Sequence, residues 1–240
     1  MKRSVPLKPI HSKQSEQIMK NRLSRVEVFW GKVVAGYTHE MKNILATISE
    51  SAGFIEDIHR LGKEGDTAYR DKIVHSLKIV QQQVERGETL SGFLNYLAHS
   101  PDQEVSQVSL NETLSAMVGL YQRFARRKKV DLELENASPG MSILTNQVVF
   151  MHLIFAALEW LMQGIVSSGK ILIRCSQEGN ASHIEFLFVG EVTPRAAHGE
   201  YWDLLGQLAS VLEGRVFWDA SQSGLIMTLE PLSDSHLEPR

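Results

Sequence analysis

The stretch THEMKN, residues 38–43, sets His39, Glu40 and Asn43 within five positions. A neutral imidazole nitrogen is a competent nucleophile toward phosphorus near pH 7. A carboxylate beside it can accept a ring N–H and so hold the tautomer, or take a proton as a base. Four residues is about one helical turn, so Asn43 shares a face with His39 if the segment is helical. On spacing alone the trio fits a solvated helix face as well as a reaction centre. The elements that would position it decide between the two.

From Trp30 the apolar residues run Trp30, Val34, Tyr37, Met41, Ile44, Ile48, Ile55 and Ile58, in steps mostly of three and four. That is one seam of an amphipathic helix. A second run passes through Ile73, Leu77, Val80, Val84, Leu94 and Leu97. Between them lies LGKEGD, residues 61–66, with two glycines and an aspartate suited to cap the next helix. The spacing predicts helices over 14–60 and 67–99 in an antiparallel hairpin, the second roughly 50 Å long. Two helices cannot enclose both seams. A second copy completing a four-helix bundle covers them, and packing by the C-terminal half is the alternative. His39 lies about 200° around the helix from Tyr37 and Met41, which turns it to solvent.

Residues 101–109 read as a polar linker ending in a helix cap. Beyond it the pattern predicts a helix over 110–128, strands at 129–135 and 142–144, and a helix over 146–164. Strands at 170–176 and 183–189, a helix over 199–213 and strands at 215–220 and 224–230 follow. The fold class is therefore α+β: a helical hairpin over 1–100, then an α/β sandwich with a mixed sheet and helices on one face over 110–232, with a polar tail at 233–240.

THEMKNILATI resembles the phosphoacceptor box of sensor histidine kinases, which places a His, an acidic residue, and an Asn or Thr at the fourth position after the His, on the first helix of a dimeric hairpin. His39, Glu40 and Asn43 match all three. The resemblance implies that His39 accepts a phosphoryl group and that Asn43 orients a water or a phosphoryl oxygen. Gly31 and Gly36, before His39, permit bending or close packing. The 120 residues after the linker are similar in element order to the ATP-binding domain of that family. The matching stretch for its Mg²⁺-holding asparagine motif is HLIFAA, residues 152–157, with His152 and Ala156 at the two asparagine positions. An alanine methyl supplies no oxygen to Mg²⁺. FVGEVTPR, residues 188–195, carries no aspartate and one glycine where the family has an adenine-binding Asp and glycines; Glu191 is the nearest acid. About ten residues, GEVTPRAAHG, replace a lid and a phosphate-binding turn. Gly214 and SGLIMTLEPL alone are similar to the family's closing hairpin.

The resemblance thus implies a histidine phosphotransferase without ATP as cofactor, acting as a homodimer on receiver domains of response regulators that bring their own Mg²⁺. Thr47 and Glu50, along the same side of the helix as His39, are the docking candidates. A histidine kinase with a divergent nucleotide site is the alternative, and a non-catalytic regulator that binds receivers or kinases is a third reading.

Bulk properties agree with this class. A net charge of −3 argues against nucleic-acid binding, although residues 1–32 alone carry +6, as a solvated basic arm does. The single cysteine, Cys175, excludes an intrachain disulfide and fits a reducing, cytoplasmic setting. The most apolar run, 148–162, is too short for a membrane span. His11, His59, His75, His99 and His183 show no paired metal spacing, and His236 lies in the polar tail. The four tryptophans, with Phe150 and Phe155, read as core.

Overall fold

The computed structural model describes residues 13–99, 104–135, 140–165, 167–190, 199–221 and 223–232, with side chains from Glu27 onward. The basic arm up to His11, Glu191 and the tail with His236 lie outside these residues.

Helix α1 spans Lys13–Arg60 without interruption, and α2 spans Thr67–Ala98. Gly62, at φ 63°, closes α1 in the left-handed conformation, and its N–H donates to the His59 carbonyl at 2.9 Å. Asp66 caps α2 by accepting from the Ala68 N–H at 2.9 Å, the role its position predicts. The hairpin is thus built by the local signals in its link.

The segment read as a linker contributes a strand. β1, Ser106–Ser109, pairs antiparallel with β3, Ser142–Thr145. Four residues with one buried valine, Val108, carry too little alternation to announce a strand in the sequence. Ser109 also caps α3, Leu110–Arg127, by accepting from the Glu112 N–H in a Ser-x-x-Glu box. Then come β2 (Val130–Leu134), α4 (Gln147–Gly164), β4 (Gly169–Glu178), β5 (Ala181–Val189), α5 (Glu200–Val211), β6 (Gly214–Asp219) and β7 (Gly224–Leu229). Five strands form one sheet in the order β2-β4-β5-β7-β6, with β2 and β4 parallel and the other neighbours antiparallel. The mixed α/β sandwich is as the pattern predicts.

Alternation along β5 turns Ser182, Ile184, Phe186 and Phe188 into the core, where α4 is buried along nearly its whole length. α4 is the one described helix apolar and long enough to cross a membrane, yet 78% of that window is buried inside the protein, as befits a central core helix. Trp160 packs on Trp202 and Trp218 with ring centroids 5.1 and 5.3 Å away, so these tryptophans are core residues.

The C-terminal half covers one part of the hairpin. Phe29 and Val33 of α1 are buried with Phe155 and His152 of α4, and Phe29 stacks on His152 at 5.3 Å. Lys32 Nζ donates to Glu159 Oε1 at 2.6 Å, and the buried Tyr121 hydroxyl donates to the same oxygen at 2.7 Å. Gly36 makes the approach of α1 to α3 possible: a Cβ there would lie 3.1 Å from the Leu120 carbonyl oxygen and from the Phe124 ring. Nothing lies within 4 Å of a Cβ at Gly31. Gly36 therefore serves close packing, and α1 runs through both glycines as one helix.

Another face of the hairpin is uncovered. Leu45 (57% exposed), Leu77 (54%), Val34, Val74 and Val84 present aliphatic side chains to solvent. Val34, Leu77 and Val84 belong to the apolar seams of the sequence, but they lie on a face that neither the other helix nor the sandwich reaches.

Candidate functional site

His39 stands on the exposed surface of α1, as its angle from the seam requires. Asn43, one turn on, brings its amide Nδ2 to 3.2 Å from His39 Nδ1. With the amide nitrogen donating, Nδ1 accepts and the ring proton sits on Nε2. A half-turn of the amide presents Oδ1 instead. That oxygen accepts from Nδ1–H and leaves the Nε2 lone pair facing solvent, the state a nucleophile needs. The hydrogen bond that sets the imidazole tautomer thus belongs to Asn43.

Glu40 is engaged elsewhere. Its carboxylate accepts from Arg86 of α2 at 2.7 Å, and its side chain is largely buried at 16% exposure. The sequence places Glu40 next to His39 but carries no sign of Arg86, which is 46 residues away.

Thr47 and Glu50 lie on the surface beyond Asn43, on the side of α1 that carries His39. The Thr47 hydroxyl donates to the Asn43 carbonyl at 3.0 Å, so it is satisfied within its own helix. Phe54 completes this strip. It is four residues beyond Glu50 and seven beyond Thr47, and 41% of it is exposed. The spacing was visible in the sequence, but an aromatic in an amphipathic helix reads as seam until packing shows it outside. Its exposure puts an apolar side chain at one end of the strip.

The sandwich places the two residues at the asparagine-like positions inside its core. His152 is 6% exposed and packed on Phe29, and Ala156 is completely buried. Gly190 ends the described stretch after β5, and residues 191–198 are not described. Among the described residues, no group of three or more His, Cys, Asp or Glu is placed to hold a metal. Cys175 is partly buried, and desolvation pushes its thiol up to about 11, far from the range of a reactive thiolate.

No family model matches this chain, and no curated protein matches it. Solved structures similar to it include histidine kinase AdeS of Acinetobacter baumannii, at 12% identity and TM-score 0.45, covering 81% of this chain and 98% of that one. A histidine kinase from Burkholderia phymatum STM815 is similar at 12% identity and TM-score 0.43, covering 80% and 99%. The nucleotide-free catalytic domain of histidine kinase ThkA is similar at 12% identity and TM-score 0.47, covering 53% and 97%. Likenesses at these identities and TM-scores bring no activity to this chain.

Proposed function

We propose that the chain is a cytosolic histidine phosphotransferase of two-component signalling, with His39 as the phosphoacceptor in a homodimer. The observation that carries this reading is the pair His39–Asn43: an exposed imidazole on a rigid helix, with an amide at hydrogen-bond distance that can fix its tautomer.

In the forward step the Nε2 lone pair attacks the phosphorus of a receiver's aspartyl phosphate. The P–O bond to the aspartyl oxygen breaks, and the carboxylate leaves with that electron pair. The phosphoryl group is then on Nε2, the ring carries the positive charge, and the proton stays on Nδ1, donated to Asn43 Oδ1 once the amide has turned to present its oxygen in place of Nδ2. Transfer to a second receiver is the same step reversed. Mg²⁺ at the acyl phosphate comes with the receiver. Thr47, Glu50 and Phe54 form the docking strip.

Ala156 supports independence from ATP. It is fully buried and has no oxygen for a metal ion, and its neighbour His152 is packed against Phe29. A histidine kinase with a divergent nucleotide site shares the same acceptor. It is favoured by the five-stranded mixed sheet of the described sandwich.

Label separates the two. Purified protein mixed with a phosphorylated receiver domain should acquire acid-labile label at His39, and ATP alone should give none. His39→Ala should abolish the label, and Asn43→Ala should slow transfer by about 10- to 100-fold. Label from ATP and none from the receiver would establish the kinase reading instead.

A further inference from the structure

A cleft of about 260 Å³ opens where α1, α2 and α3 meet. Arg86, Arg123 and Arg126 line it with one carboxylate, Glu40, so its walls carry a net +2. Arg86 is matched by Glu40. Arg123 has neutral neighbours: it donates to the Ala35 carbonyl oxygen at 3.4 Å and lies over the Phe124 ring. Arg126 is on the exposed rim, and no described acid other than Glu40 borders the cleft. Like charges gathered in a concave wall repel, and bringing them together without a counter-charge raises the energy of the fold. The floor is apolar. Leu90 is buried there beside Phe93, whose ring fits over Gly119; a Cβ at Gly119 would lie 2.4 Å from it.

Guanidinium groups bind phosphate oxygens through paired N–H donors, and an apolar floor takes an organic substituent. We propose that this cleft is a binding site for a small phosphomonoester dianion, its phosphate held by Arg86, Arg123 and Arg126 and its organic part resting on Leu90 and Phe93. The net +2 of the walls matches the two charges of the ligand. Its phosphate competes with Glu40 for Arg86, which frees a carboxylate one residue from His39. That consequence rests on the phosphoacceptor reading; the site itself does not.

The probe is phenyl phosphate, with inorganic phosphate and phenol as separate arms, titrated into the full-length protein and followed by calorimetry and by the arginine Nε–H resonances. Saturable binding of phenyl phosphate is expected, about fivefold tighter than inorganic phosphate because the ring covers Leu90 and Phe93. Phenol alone should not saturate. Arg123→Gln with Arg126→Gln should weaken binding at least about tenfold, and the rim substitution Arg126→Gln alone should weaken it several-fold with the helical circular dichroism unchanged. His39→Ala should leave binding intact, so loss of phosphoryl transfer and loss of the site are separable. Saturating phenyl phosphate should alter the rate at which His39 takes label from a receiver, and Arg86→Gln should remove that sensitivity. Non-saturating shifts, or equal affinity in the double variant, would overturn the site. An unchanged labelling rate with the site filled would overturn its coupling to Glu40.

Discussion

In the proposed transfer, a single hydrogen bond decides the chemistry at position 39. The imidazole gains its nucleophilic lone pair at Nε2 only if Nδ1 keeps a proton, and the neighbour within reach of Nδ1 is the Asn43 amide. The sequence made this pair legible, because a four-residue step on a helix is a fixed geometry. It did not make Arg86 legible, because its contact with Glu40 joins different helices and depends on their register. Cys175 gives a test at the same scale. Its thiol is pushed up to about 11 by burial, so at pH 8.5 almost all of it is protonated in the native state. The unfolded thiol, near pKa 8.5, is about half ionised there. Alkylation by iodoacetamide at pH 8.5 is expected to run about a hundredfold faster in denaturant than in the native protein. The linkage follows the same sign. A folded pKa above the unfolded one stabilises the native state fully below the unfolded value, and that stability is lost as pH rises toward about 11. Equal alkylation rates would show a thiol open to solvent.

Helices and strands were legible where periodicity was sustained, and less so where a tertiary partner defined them. The long apolar repeats of α1, α2 and α4 fix their type, and Asp66 and Ser109 fix two of their starts. β1 exists because β3 lies beside it, so four residues in isolation read as linker. The two glycines of α1 show the same distinction. Glycine in a helix costs about 1 kcal/mol relative to alanine. At Gly31 a methyl group meets nothing within 4 Å, so Gly31→Ala should raise stability by about that amount in a urea titration. At Gly36 the methyl meets a backbone oxygen and an aromatic ring at 3.1 Å. Gly36→Ala should cancel the gain and lower stability by about 1 kcal/mol through overpacking against α3. A gain at both positions would mean that α1 and α3 are not pressed together at Gly36.

For the whole molecule, the uncovered aliphatic face of the hairpin is the feature that asks for a second chain. Val34, Leu77 and Val84 carry the seam pattern that the sequence showed, and with Leu45 beside them one copy leaves all four in water. A homodimer through this face is expected to sediment at twice the mass of one chain, and Leu45→Asp with Leu77→Asp should give monomers that keep their helical content. A wild-type protein that sediments as a single chain at micromolar concentration would refute the bundle. The second domain, by contrast, is seated on α1 through Phe29, Lys32 and Gly36, a contact invisible in the local pattern of either half. Because α1 continues unbroken from that seat to the hairpin tip, Phe29 and His39 ride on the same shaft, ten residues or about 15 Å apart. Helix is stiff over such a length, so the bearing of the imidazole is tied to how α1 is clamped at the seat.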